Sequence, residues 1–135
     1  MFAIQLLATT ATTASVLTLL YVAMSVCVIR QRWKARAAFG AGQDPASPLS
    51  RMIRVHGNFA EYVPLFLILL AAAELNQLAP LLLKLSAGAF AVGRVSHWIG
   101  MFAPKTPNPY RGLGMALTFI PLVTLALALL VRLFG

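Results

Sequence analysis

Acidic residues are almost missing from this sequence: Asp44, Glu61 and Glu74 are the only three among 135. Charge of either sign is scarce, at 10% of residues, where soluble domains average about 25%. A globule this small shows much of its chain to its surroundings. A water-soluble domain is therefore excluded by an apolar content of 60% and a mean hydropathy of +0.83. Lipid in place of water removes the contradiction, and the chain reads as an integral membrane protein. The single cysteine, Cys27, excludes an internal disulfide and, lying in an apolar run, says nothing about redox compartment. No metal site is expected.

Against three acids stand eleven Lys and Arg, a net charge of +8 and an isoelectric point near 10.9. Such a balance can serve nucleic acid. Here the bases sit at the ends of lipid-length runs, with no basic face free of them, so a nucleic-acid partner is excluded. The same placement is what membrane topology requires.

Residues 2–29 form 28 positions without a charge or a histidine, more than the roughly 20 that cross a bilayer. No base precedes this run and nothing after it reads as a mature soluble domain, so it is a span and not a signal peptide. Its Thr and Ser residues are tolerable in lipid if they bond back to helix carbonyls. Arg30, Arg32, Lys34 and Arg36 end it. The Gly- and Pro-rich stretch from Phe39 to Pro48 is a loop, closed by Ser47 as N-cap with Pro48 at the first helical position. Asn76 and Gln77 make a short turn before a third helix that Pro80 opens, and Pro104, Pro107 and Pro109 make the next connection non-helical. Residues 112–131 are again 20 without a charge. The reading is one all-α domain over 1–135, an integral membrane four-helix bundle with helices near 2–36, 48–76, 79–102 and 111–133. Pro64 and Pro121 fall inside helices, which membrane helices tolerate.

Counting bases orients the bundle. Arg30, Arg32, Lys34, Arg36, Arg51 and Arg54 flank the first loop, and Lys105 and Arg111 the third. The other side has only Lys84 and Arg132. The positive-inside rule puts the first and third loops in the cytoplasm and both termini outside. Trp33, Trp98 and Tyr110 fall at the expected interfaces, as anchors.

Asn58, Glu61, Arg94 and His97 interrupt otherwise apolar helices. A charge at mid-bilayer costs about 2.5–3.5 kcal/mol on insertion scales, so such residues face protein or water. With about 100° per residue, Arg51, Arg54, Asn58 and Glu61 share roughly 80° of arc, and Arg94, His97 and Met101 roughly 60°. His56 lies opposite the first arc, toward headgroups. The arcs and Arg111 occupy one level, the cytoplasmic half. A structural reading is open: Glu61 pairs with Arg54 or Arg94, and Asn58 bridges helices. Yet Arg54, Arg94 and Arg111 outnumber Glu61, and unpaired buried charge is expensive. The surplus calls for water or for an anionic ligand with more than one carboxylate, plus an ammonium for Glu61.

The run Arg54-Val-His-Gly-Asn58-Phe-Ala-Glu61-Tyr62-Val-Pro64-Leu-Phe-Leu resembles the signature of the membrane-associated proteins in eicosanoid and glutathione metabolism, the MAPEG family. Arg36-Ala-Ala-Phe39, Val92-Gly-Arg-Val-Ser-His97 and Arg111 ten residues before Pro121 agree with it. The resemblance implies a homotrimer binding glutathione between subunits near the cytoplasmic face. It implies glutathione contacts for Arg54, Asn58, Glu61 and Tyr62, a lining role for Arg94 and His97, and thiolate stabilisation by Arg111. Two departures argue against an eicosanoid substrate. Met101 stands four residues after His97, where eicosanoid-making members carry tyrosine, and Gly112 follows Arg111 without a hydroxyl. A compact bacterial-type member in the inner membrane fits better.

Three functions follow. The first is a glutathione transferase, with peroxidase-like activity, acting on a lipophilic small molecule from the bilayer. The second is a non-catalytic trimer that binds glutathione or another small anion, or scaffolds membrane partners. A small transporter is third, because no polar stripe continues to the outer side. Gly88, Gly93 and Gly100 permit close helix approach.

Overall fold

A computed structural model describes residues 7–40, 44–104 and 108–135. It contains four helices, α1 (Ala8–Ala35), α2 (Pro48–Leu75), α3 (Pro80–Phe102) and α4 (Pro109–Phe134), with no strand among the described residues. Residues 2–6 of the expected first helix, 41–43 of the first loop, and Lys105 and Pro107 of the third connection lie outside the described residues.

Local chemistry sets the helix ends. The Ser47 hydroxyl oxygen accepts the Ser50 N–H at 3.1 Å, with Pro48 at the first helical position. Pro80 opens α3 after a turn in which Gln77 takes φ 55°. The start of α4 corrects the sequence expectation: Pro109 is its first residue and not part of a non-helical connection. Asn108 Oδ1 accepts the Arg111 N–H at 3.0 Å, and proline at that position gives up no helical hydrogen bond.

Thr13 and Ser15 bond back to the carbonyls of Thr9 and Ala11, at 2.7 and 2.9 Å. Thr9 and Thr10 do something else. Their N–H groups donate to the two Glu74 carboxylate oxygens, each at 2.8 Å, and the Thr10 hydroxyl adds a bond of 2.7 Å. A carboxylate from the end of α2 thereby caps the first turn of α1, where unpaired N–H groups and the helix dipole favour negative charge. Glu74→Gln keeps one acceptor and loses the charge. Thermal unfolding in detergent should show a loss of about 1 kcal/mol.

The core runs along α2 through Phe59, Phe66 and Leu70 to Leu17 and Met24 of α1, Phe90 of α3 and Leu125 of α4. The Phe66 and Phe90 rings stack at 3.9 Å. Trp98 also packs partly against this core, while Trp33 is 78% exposed. α3 and α4 meet backbone to backbone. A Cβ on Gly100 would lie 2.5 Å from Arg111 N, and one on Gly114 would lie 2.6 Å from His97 N. A Cβ on Gly93 would lie 2.8 Å from Leu117 Cβ, but Gly88 has nothing within 4 Å, so the approach expected of Gly88 is made by Gly114 instead.

Outward faces are apolar, with Leu19, Ile68 and Val131 all strongly exposed. By length and composition α1, α2 and α4 can each cross a membrane, one helix fewer than expected from sequence. α3 carries Lys84, Arg94 and His97, and buries the last two against its neighbours. The protein is an integral membrane four-helix bundle.

Candidate functional site

Spacings of three and four bring polar residues of α2, α3 and α4 to one end of the bundle. They line a cavity of about 370 Å³. Arg54, Gly57, Asn58 and Glu61 come from α2, His97 and Met101 from α3, and Arg111 and Met115 from α4. Glycine contacts explain why α3 and α4 contribute at one level: the close approach of Gly100 to Arg111 and of Gly114 to His97 fixes their register.

The side chains of Arg54, Glu61 and Arg111 are exposed, and none has a hydrogen-bond or ion-pair partner among the described residues. The pairing of Glu61 with Arg54 or Arg94 therefore does not form. Two guanidiniums and one carboxylate face the same groove without neutralising one another.

Arg94 is elsewhere than expected. It lies behind the groove, 2% exposed, and its head is taken up by neutral groups. Nη1 donates to Asn58 Oδ1 at 2.7 Å, and Nη2 donates to the Gly114 carbonyl at 3.4 Å and to the Thr118 hydroxyl oxygen. The Tyr62 and Phe90 rings each stand 5.6 Å from Cζ, where their π-faces attract the cation. Nε is buried without a partner among the described residues. Tyr62 does not line the cavity; it sits beside Arg94 and meets Phe119 edge-on at 5.5 Å. His97 lines the groove, 6% exposed, with Nδ1 buried and unpaired among the described residues.

His56 corrects another expectation. Its Nε2 lies 3.0 Å from Ser25 Oγ and its ring 4.6 Å from Tyr21, so it ties α1 to α2 and does not face headgroups. Ser25 already donates to the Tyr21 carbonyl at 2.9 Å, which leaves its oxygen to accept from Nε2–H.

Arg54, Asn58, Glu61, His97 and Arg111 thus come together, with Arg94 and Tyr62 in the layer behind. Sequence reasoning missed Thr118, Gly114 and Met115. Thr118 carried a signal: it lies seven residues after Arg111 in an apolar helix, on the same face.

The MAPEG family model matches residues 10–131. Inner membrane protein YecN of Escherichia coli strain K12, and that of Escherichia coli O6:H1, are each 31% identical over 110 residues. Those alignments cover 82% of this chain and 81% of each relative. No solved structure matches the chain. With the family match spanning all four helices and these relatives aligned along most of both lengths, the chain belongs to the MAPEG family.

Proposed function

We propose that the protein is a glutathione-dependent membrane enzyme that delivers the glutathione thiolate to a lipophilic electrophile. The observation that carries this reading is the groove in which Arg54, Arg111 and Glu61 stand without partners among the described residues. Glutathione offers two carboxylates and one ammonium, the complement of those three groups, and a guanidinium grips a carboxylate through paired hydrogen bonds. A thiol of pKa about 8.5 is mostly protonated at neutral pH, and a nearby guanidinium lowers that pKa. In this reading Arg54, Asn58 and Glu61 hold the tripeptide, His97 lines its seat, Tyr62 and Arg94 support it from behind, and Arg111 faces the sulfur. The thiol proton leaves to water, and the sulfur bonds to an electrophilic carbon whose leaving group departs with the electron pair.

The second substrate reaches the groove from lipid. An apolar cleft of about 380 Å³, lined by Leu17, Tyr21, Phe59, Val63 and Pro64, occupies the adjacent face of the same turns of α2. We place the protein in a bacterial inner membrane, with the groove toward the cytoplasm and both termini outside, because the bases cluster at the groove end. The openness of Arg54, Glu61 and Arg111 in the single subunit supports a homotrimer whose neighbour closes the groove.

One observation favours a non-catalytic second reading. Among the described residues none that lines the groove carries a hydroxyl, and Met101 and Met115 line it together with His97. A trimer that only binds glutathione or another small anion, or scaffolds partners, would need none. The test is titration of the purified protein in detergent with millimolar glutathione, followed by ultraviolet absorbance of the thiolate. Binding with a thiolate signal is expected, and Arg111→Ala should keep most of the binding while losing that signal. Binding without thiolate in the parent protein would favour the second reading; no binding would end the first.

A further inference from the structure

Arg94 is among the largest fully buried side chains in the protein, yet it lines no part of the groove. A guanidinium has five N–H donors and no acceptor. The atom facing Nη1 at 2.7 Å must therefore accept, which fixes the Asn58 contact as Oδ1. The other end of the guanidinium is held by the same logic. Thr118 has a single hydroxyl hydrogen, given to the Gly114 carbonyl at 2.7 Å, so its oxygen can only accept from Nη2. With Tyr62 and Phe90 rings against the head, Arg94 has little room to turn.

The consequence falls on Asn58. Its amide is planar, and with the oxygen taken from behind, the amino group must point away from Arg94. Among the described residues Nδ2 has no acceptor and is not one of the sealed, unpaired atoms, and Asn58 lines the groove. We infer that Arg94 is a positioning residue that locks Asn58 as a one-way hydrogen-bond donor into the groove, without touching ligand itself. Arg54, Arg111 and Asn58 then present donors, and Glu61 is the one carboxylate among the described lining residues. Opposite Asn58 the groove selects a carboxylate or peptide carbonyl and disfavours an ammonium, because the unsuited partner would leave donors facing donors. The choice of glutathione as ligand rests on the function proposed above; the lock itself does not.

Two measurements on the full-length protein in detergent test this. The side-chain amide hydrogens of isotope-labelled asparagine are observed by magnetic resonance, and the Asn58 pair is assigned by its loss in Asn58→Asp. In the parent protein rotation about the Asn58 amide bond should be slow; Arg94→Lys, which cannot hold both Asn58 and Thr118 in one plane, should shift the pair and speed that rotation several-fold. Should Arg94→Lys not fold, Thr118→Val removes the same support. An Asn58 pair indifferent to these changes would overturn the inference. The second measurement is glutathione binding by Asn58→Asp, which keeps an oxygen for Arg94 but turns the donor into an acceptor. Its unfolding temperature should be maintained while affinity falls by about tenfold or more. Unchanged affinity would also overturn the inference. If the parent protein binds no glutathione, the proposed function fails and the resonance measurement alone decides the lock.

Discussion

Gly114→Ala is expected to lower the unfolding temperature of the detergent-solubilised protein and to weaken glutathione binding together. The added Cβ would lie 2.6 Å from His97 N and 2.7 Å from both its Cα and Cβ. Two of those atoms are backbone, so the clash is relieved only if α3 and α4 move apart. Overpacking of this kind costs about 1–3 kcal/mol. Separation would also disturb the Gly114 carbonyl and the Thr118 hydroxyl on which Arg94 rests. Gly88→Ala is the matched control, because its Cβ meets nothing within 4 Å. There the higher helix propensity of alanine acts alone, and stability should hold or rise by up to about 1 kcal/mol. Equal unfolding temperatures for the two variants would mean that α3 and α4 have room between them for a methyl group at Gly114.

Glu61→Gln is expected to separate binding from folding. The carboxylate is exposed and has no partner among the described residues, so neutralising it removes no interaction seen there. Stability should stay within about 0.5 kcal/mol, as for other surface changes. Glutathione affinity should fall by about tenfold or more, since the ammonium loses its only opposite charge in a groove that keeps two guanidiniums. The comparison is made by titration calorimetry beside thermal unfolding, at one ionic strength, because exposed charges are screened by salt. A large loss of stability with intact affinity would assign Glu61 to holding helices together.

The bundle is legible in the sequence. Ser47-Pro48 and Asn76-Gln77 with Pro80 mark the helix starts through rules that act within a few residues. Asn108-Pro109 obeys the same rule, but three prolines in six residues mask it by suggesting an irregular connection. The candidate site was legible in part. Helical periodicity places Arg54, Asn58 and Glu61 on one face, and His97 with Met101 on another, because direction along a helix depends on spacing alone. Periodicity gives no depth. Arg94 shares the arc of His97, but a residue one turn deeper meets Thr118 and Asn58 where His97 lines the cavity. Tyr62 stays out of the groove because it is turned about 100° around the helix from Glu61.

Composition and the order of apolar runs by themselves determined that this chain lives in lipid as four helices, because transfer out of water is summed over residues and needs no knowledge of neighbours. They also determined an excess of positive charge at one end. Which charges are consumed inside the protein was decided by tertiary structure alone. The glycine contacts set how near α4 comes to α3, and that distance gives Arg94 its neutral partners while leaving Arg54, Glu61 and Arg111 uncommitted. Pairing of charges turns on ångström separations between residues far apart in the chain, and no local rule carries that information.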